Sequence, residues 1–415
     1  MESSNIYVER GRSFLNLGRF KAAAEELEQA IVYEPYNLDA LIMLCVCYIN
    51  LQDNDRSKLY TDKLLALAPD LSIGHYYKSI CADRDGNSKA AEGHIWDAIN
   101  LDPRDADYWA KLSDIYSDRK EWDKALEYAD KGLECDPENI ASLNHRTQCL
   151  TKLNRMEELQ TNINDTLSSD PYNAYTHSNV GWSKLEAGDY ENAKKHFAEA
   201  LRLNPNLENA RAGMINAIKS RNFLFRWFLQ YGFWMSNKKD WVQWAIMIGF
   251  VLGRRVIFSM ATEYPVLYVV GGLMLFFTYL TWLINPVTNL FLLMDRFGRH
   301  VLSADEKKSA AIAGIGVFGS VICAGIAYST GAYPFWYLTV YLASVAIPLC
   351  KYYDYRPERR SNALTLFTFG LAVIGFLAVV LAFADMGANA SSVADVYLIG
   401  FVLYTWVGAA LIKRI

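Results

Sequence analysis

Six prolines, Pro35, Pro69, Pro103, Pro137, Pro171 and Pro205, stand 34 residues apart. A fixed period of that length means one small supersecondary unit repeated, each copy burying its apolar face only against its neighbours. Stacking the chain on the period exposes three columns of mostly small residues. The first holds Gly11, Cys45, Ser79, Ser113, Thr147 and Gly181. The second holds Ala23, Ser57, Ala91, Ala125, Leu159 and Ala193, and the third Ala30, Leu64, Ala98, Gly132, Thr166 and Ala200. Small residues let two helices cross closely, and a proline cannot continue the second helix, so each unit reads as a helix pair closed by a turn.

The columns resemble those of the tetratricopeptide repeat family. In the sixth unit, VGWSKLEAGDYENAKKHFAEALRLNPN, the signature positions are filled by Gly181, Gly188, Tyr190, Ala193, Phe197, Ala200 and Pro205; the first unit matches nearly as well, with Tyr7, Gly11, Phe14, Gly18, Phe20, Ala23, Ala30 and Pro35. The fifth departs most, with Leu159 and Thr166 in place of alanines. The match covers about residues 3–206, and residues 208–219 read as a helix capping the last unit.

The resemblance implies a binding scaffold whose first helices line a concave groove, with residues 2, 5, 9, 12 and 13 of each unit facing it. Those positions supply Ile42, Val46, Ile49, Tyr76 and Ile80, then Asp107, Asp114 and Asp118, then Tyr175, Trp182 and Leu185, with Arg12 nearly alone as a cation. A groove apolar at one end and acidic in the middle suits an apolar or amphipathic peptide with basic residues rather than one ending in acid. A second reading leaves the same residues covering neighbouring helices and binding nothing.

The rest of the chain has another character. Residues 1–220 hold 25 Lys and Arg against 36 Asp and Glu, whereas residues 221–415 hold 16 against 9. Apolar windows recur at about 242–261, 266–284, 310–329, 334–350, 363–384 and 394–412, each near the length that crosses a bilayer. The expected fold is therefore all-α: a solenoid of helix pairs over residues 1–220, a linker over 221–240, and a six-helix transmembrane bundle over 241–415. Loop charges set a topology. Arg296, Arg299, Lys307 and Lys308 follow the second window, Lys351, Arg356, Arg359 and Arg360 the fourth, and Lys413-Arg414 the sixth; the alternate loops carry none. Six spans with both termini cytoplasmic satisfy that pattern, as expected of a multi-pass protein of a bacterial inner membrane. The opening MESSNIYVERGR has no apolar core of a signal peptide, which agrees.

The first window contains Arg254 and Arg255, expensive at membrane depth. They either snorkel to the surface, or face the bundle interior toward Glu263, or mark a segment that does not span. In the third window Gly316, Ser320 and Ala324 stand four residues apart, the spacing of close helix packing. Pro286 is placed to kink or end the second span, with Arg296, Arg299 and His300 on a following surface helix.

Evidence of chemistry is thin. No phosphate-binding loop, nucleophile elbow or zinc-protease motif occurs. The seven cysteines include no CxxC pair, and the six histidines do not cluster at ligand spacing along the chain. No cofactor, metal or nucleic acid is expected. The reading is a non-enzymatic, membrane-anchored scaffold whose groove takes a protein or peptide, with a homo-oligomer left open; the alternative is a transporter or membrane enzyme regulated by its repeats.

Between the halves lies NFLFRWFLQYGFW. On a helix, Asn222, Arg226, Gln230 and Asn237 form a narrow polar stripe, and Phe223, Leu224, Trp227, Phe228, Tyr231, Trp234 and Met235 cover the rest. Such a helix either lies at a bilayer interface, with Trp227, Phe228, Tyr231 and Trp234 at headgroup level, or packs on the cap of the repeat array.

Overall fold

The computed structural model describes residues 2–294, 302–355, 357 and 360–411. Arg296, Arg299, His300, Arg356, Arg359, Lys413 and Arg414, and with them the expected surface helix, lie outside the described residues. Among the described residues there are 20 α-helices and no strand. They divide into two compact units, Met1–Gly213 with Asn237–Lys239, and Met214–Ser236 with Asp240–Ile415.

The first unit is six helix pairs: α1 (Glu2–Asn16) and α2 (Phe20–Tyr33), α3 (Leu38–Asn50) and α4 (Asn54–Leu67), α5 (Ser72–Arg84) and α6 (Ser88–Leu101), α7 (Ala106–Asp118) and α8 (Trp122–Cys135), α9 (Ile140–Lys152) and α10 (Met156–Ser169), α11 (Ala174–Glu186) and α12 (Tyr190–Leu203). All six prolines open the turn after the second helix of a pair. Side chains of Asn37, Asp105, Asn139 and Asn173 then accept the free N–H groups at the start of the next helix.

Every residue of the three columns is buried, and the crossing chemistry varies with the residue. Where the first column has glycine, a large side chain from the partner helix fills the space: a Cβ on Gly11 would stand 2.5 Å from Leu27, and one on Gly181 2.7 Å from Phe197. Where it has serine, the hydroxyl crosses to the second column, Ser79 donating to the Ala91 carbonyl at 2.8 Å and Ser113 to Ala125 at 2.7 Å. The irregular fifth unit keeps its helix pair by a polar route. Asn162 is fully buried and donates to Thr147 Oγ1 at 2.7 Å and to the Leu143 carbonyl at 3.0 Å, while Thr166 donates to the Asn162 carbonyl. The next helix, α13 (Glu208–Lys219), continues the packing: a Cβ on Gly213 would collide with the Phe197 ring. The division between the units passes through it.

In the second unit, α14 (Phe223–Ser236) precedes α15 (Asp240–Met260), α16 (Leu267–Met294), α17 (Ala304–Thr330), α18 (Pro334–Asp354), α19 (Asn362–Phe383) and α20 (Gly387–Val407). Four of these, α15, α16, α17 and α19, are long and apolar enough to cross a membrane by length and composition. The remaining two expected spans fall on α18 and α20, helices of 21 residues each. Pro286 does not end α16, which runs 28 residues through it. Helices α17 and α18 pack closely: a Cβ on Gly316 would stand 2.5 Å from the Ala346 Cβ and 3.0 Å from the Leu342 carbonyl. Ser303 and Glu306 form a capping box at the start of α17. Asp305 pairs with Arg360 at 2.6 Å, joining the two basic loops assigned to one side.

A second 34-residue series appears at the turn inside each pair. Gly18, Gln52, Gly86, Lys120, Asn154 and Gly188 all have φ between 58° and 82°. The turn demands a left-handed residue, and half the units meet the demand without glycine. Removing that strain outweighs the extra entropy of an unfolded glycine. Gln52→Gly should therefore raise unfolding free energy by about 0.5–1 kcal/mol, and Gly86→Ala should lower it by about 1 kcal/mol, both read by thermal or denaturant unfolding.

Candidate functional site

The groove positions occupy the first helix of successive pairs, so each side chain is held by a helix that is itself locked by a close crossing. Ile42, Val46 and Ile49 on α3 and Tyr76 and Ile80 on α5 are half-buried and pack on a core that includes Leu41, Leu44 and Tyr77. They present one edge outward and keep the other in the core. Tyr76 also meets Tyr108, with ring centroids 5.3 Å apart. Arg12 is half exposed and stands 3.9 Å from both Glu9 and Asp39. Tyr175 is exposed, and Trp182 packs edge-on against Phe197 while its indole N–H reaches the Asn209 carbonyl at 3.3 Å. Leu185, expected in the same row, is fully buried and unavailable to a partner.

The acidic stretch is not a simple acid patch. Lys111 donates to Asp83 at 2.6 Å and to Asp114 at 2.7 Å, so two carboxylates share one cation. Burial pushes the Asp114 carboxyl up, but Lys111 and the nearby His145 outweigh it, and the group ends below its ordinary value. Asp118 is exposed; its desolvation and the charges of Asp114 and Asp83 raise it, against the weaker pull of Lys111. Asp107 accepts from Asn139 at 2.8 Å. Further residues sit where the same register would have found them: Asp83 at position 12, Asn144 at position 5, and two cations that the expectation left out, Arg84 and Lys152, at position 13 of their units. The Asn144 Oδ1 is buried without a hydrogen-bond partner. Lys111 and His145 both fall at position 6, outside the register, and only the fold brings them in.

In the second unit, α14 is capped by Asn222, whose side chain accepts from Leu224 and Phe225. Part of the expected polar stripe is thus a helix cap. Trp227, Phe228 and Tyr231 converge on one ring of α16, Phe277, at centroid distances of 5.6, 5.5 and 5.5 Å. Neither sequence reading had α14 packing on an apolar helix. Phe228 is buried there, while Phe223, Leu224, Trp227 and Trp234 remain exposed. On α15, a helix with no buried residue, Arg254 is half-buried and Arg255 exposed, and among the described residues no ion pair joins them to Glu263. The crevice between α18, α19 and α20, about 220 Å³ and lined by residues such as Trp336, Tyr341, Gly375 and Tyr397, has no charged side chain in its wall.

Lys219 is buried beside Phe225, its Nζ 5.6 Å from that ring centre. Burial pulls its ammonium down to about 8, against the weaker pull of Glu306 and Asp354. Between pH 8 and its ordinary 10.5 the unfolded chain holds more protons than the folded one, so stability rises with pH across that window and the full penalty stands below it. Lys219→Met should stabilise the protein at pH 7 by on the order of 3 kcal/mol and flatten this rise, as measured by thermal unfolding in detergent from pH 7 to 10.

The histidines that are scattered along the chain do converge in space, His75 and His94 on Asp97, and His177 on His196.

Residues 14–82 and 174–207 match family models described as tetratricopeptide repeat. The type IV pilus assembly protein PilF of Pseudomonas aeruginosa is 28% identical over 179 residues, 41% of this chain and 68% of that protein. A solved structure of Pseudomonas aeruginosa PilF aligns with 51% of this chain and 96% of its own at 17% identity and a TM-score of 0.41. PilW, a type IV pilus biogenesis factor, aligns with 51% of this chain and 98% of its own at 15% identity and a TM-score of 0.43.

Proposed function

We propose that this tetratricopeptide-repeat protein is a membrane-anchored scaffold: its repeat groove binds a protein or peptide and holds it at a membrane in which the second half is embedded. The observation that carries the reading is the row of half-buried apolar side chains on α3 and α5, followed by acidic ones on α7, in the same chain as four helices apolar enough to cross a bilayer. Half-buried side chains on locked helices are preorganised, so a ligand covers apolar surface without ordering the receptor. Lys111 splits the acidic stretch into a neutralised part and an open one, which leaves Asp118 and Asp107 as the groups for a basic residue of the ligand. An apolar or amphipathic segment carrying lysine or arginine fits that order of surfaces.

In this reading the membrane half makes six spans, α15 to α20, with both termini cytoplasmic and the Asp305–Arg360 pair at the cytoplasmic end. The exposed aromatic face of α14 lies among lipid headgroups while its Phe277 contacts hold it to α16. Similarity to a pilus assembly protein favours a partner from a membrane-associated assembly of a bacterial envelope. The uncharged wall of the α18–α20 crevice weighs against an ion-coupled transporter.

Capture of partners by the full-length protein from solubilised membranes tests the groove. Asp107→Lys/Asp118→Lys/Tyr175→Ala changes only exposed side chains. Partner recovery should fall about tenfold, equivalent to about 1.4 kcal/mol of binding, with the protein still in the carbonate-washed membrane fraction. Recovery equal to wild type would sink the groove assignment, and release of the protein by carbonate would sink the anchoring.

A further inference from the structure

The third repeat unit holds a group of ligand atoms that its packing does not explain. His75 on α5 points Nε2 at the Pro69 carbonyl, 2.8 Å away. A carbonyl can only accept, so Nε2 carries the proton and Nδ1 of the neutral ring is left as a bare lone pair. That Nδ1 is buried and has no hydrogen-bond partner, and the same is true of His94 Nδ1 on α6. Both face one carboxylate oxygen of Asp97, at 3.7 and 3.8 Å, too far for a hydrogen bond. The three ligand atoms lie within 4.8 Å of one another. Lys78, whose charge acts on His94, is itself tied to Asp62. Two buried nitrogens without hydrogen-bond partners are thus turned toward one carboxylate oxygen.

The repeat supplies a control for the structural role. One unit on, Trp109 takes the place of His75 and sends its indole N–H to the Pro103 carbonyl at 2.9 Å, and Tyr128 takes the place of His94. The link to the turn therefore needs one ring N–H, which tryptophan provides. What histidine adds is the second nitrogen. Three units on from the first group, 102 residues along, the set returns as His177, His196 and Glu199. His177 Nε2 again meets a turn carbonyl, that of Pro171 at 3.0 Å, and the two Nδ1 atoms stand 3.2 Å apart. Here the carboxylate is engaged by Arg202 at 2.6 Å.

We propose that His75, His94 and Asp97 bind a divalent transition metal of the zinc class, and that His177, His196 and Glu199 form a weaker copy of the site. Two imidazole nitrogens and one carboxylate oxygen suit zinc rather than calcium or magnesium, which take oxygen alone. Tetrahedral bonds of about 2.0–2.1 Å place neighbouring ligand atoms about 3.3–3.4 Å apart; the two histidine–Asp97 separations, 3.7 and 3.8 Å, already approach that, and the two ring nitrogens, within 4.8 Å of each other, close on the ion by side-chain rotation. Asp97 follows His94 by three residues and shares its helix face, so one helix presents both. The Pro69 carbonyl behind His75 fixes the tautomer, the role such outer partners play at zinc sites. Three protein ligands leave a fourth position for water or for a partner's side chain.

The test uses full-length protein in detergent, free of any histidine tag and stripped with chelator. Zn²⁺ is titrated against a chromophoric chelator, and Co²⁺ is added separately to read coordination geometry from its visible spectrum. Wild type should bind Zn²⁺ tightly at one site and more weakly at a second, with tetrahedral Co²⁺ bands. His94→Gln and Asp97→Asn should each weaken the tight site by about tenfold or more, since direct ligands outweigh the outer partners worth that much. His177→Gln should affect only the weaker site. Asp97 is exposed, so Asp97→Asn tests the ligand without threatening the fold, and thermal unfolding in chelator should be the same for it and wild type. Binding in His75→Gln/His94→Gln as tight as wild type, or Co²⁺ spectra identical in the two, would overturn the proposal.

Discussion

The repeat half depends on one contact made six times: the approach of two helices at a residue too small to hold them apart. Every position of the three columns is buried, so the crossing sets how closely each pair packs and hence where the next pair can stack. Different units satisfy it with different chemistry. Glycine admits Leu27 or Phe197, and serine spends its hydroxyl on a facing carbonyl. The groove inherits its rigidity from these crossings, because its residues lie on the helices that they lock.

Much of this was legible from spacing. A period of 34 with prolines in phase determines helix pairs, turns and the buried columns, because each consequence is local in sequence or repeats with the period. Groove exposure was less legible. Leu185 obeys the same register as Ile49 yet is buried, because exposure depends on what the rest of its unit does above it. Lys111 lay outside the register, and its pairing with Asp83 and Asp114 needed two neighbouring units in contact. The histidine groups were hidden for a related reason. His75 and His94 are 19 residues apart, a separation that matches no ligand motif on one helix, but it is the span across the turn from one helix of a pair to the other.

The second half was legible in part. Apolar length marks its helices, and small residues at four-residue spacing did mark a close contact, between Gly316 and Ala346. The aromatic segment was read from its own periodicity and two possible neighbours. Its hold on Phe277 could not be, since α16 lies more than thirty residues further on and offers no pattern that singles out one ring.

The fifth unit sets a chemical seam in the array. Its crossing is held by Asn162, Thr147 and Thr166 instead of alanine and glycine, and its inner turn strains Asn154 into a left-handed conformation. In a solenoid the total cohesion is close to a sum over units and their neighbours, so the chain opens first where one unit contributes least. A ligand lying along the groove from α5 to α11 would bridge that seam. Occupancy would then act as a splint, stiffening two blocks of repeats into a single rod and giving the scaffold a mechanical state that reports whether it is loaded.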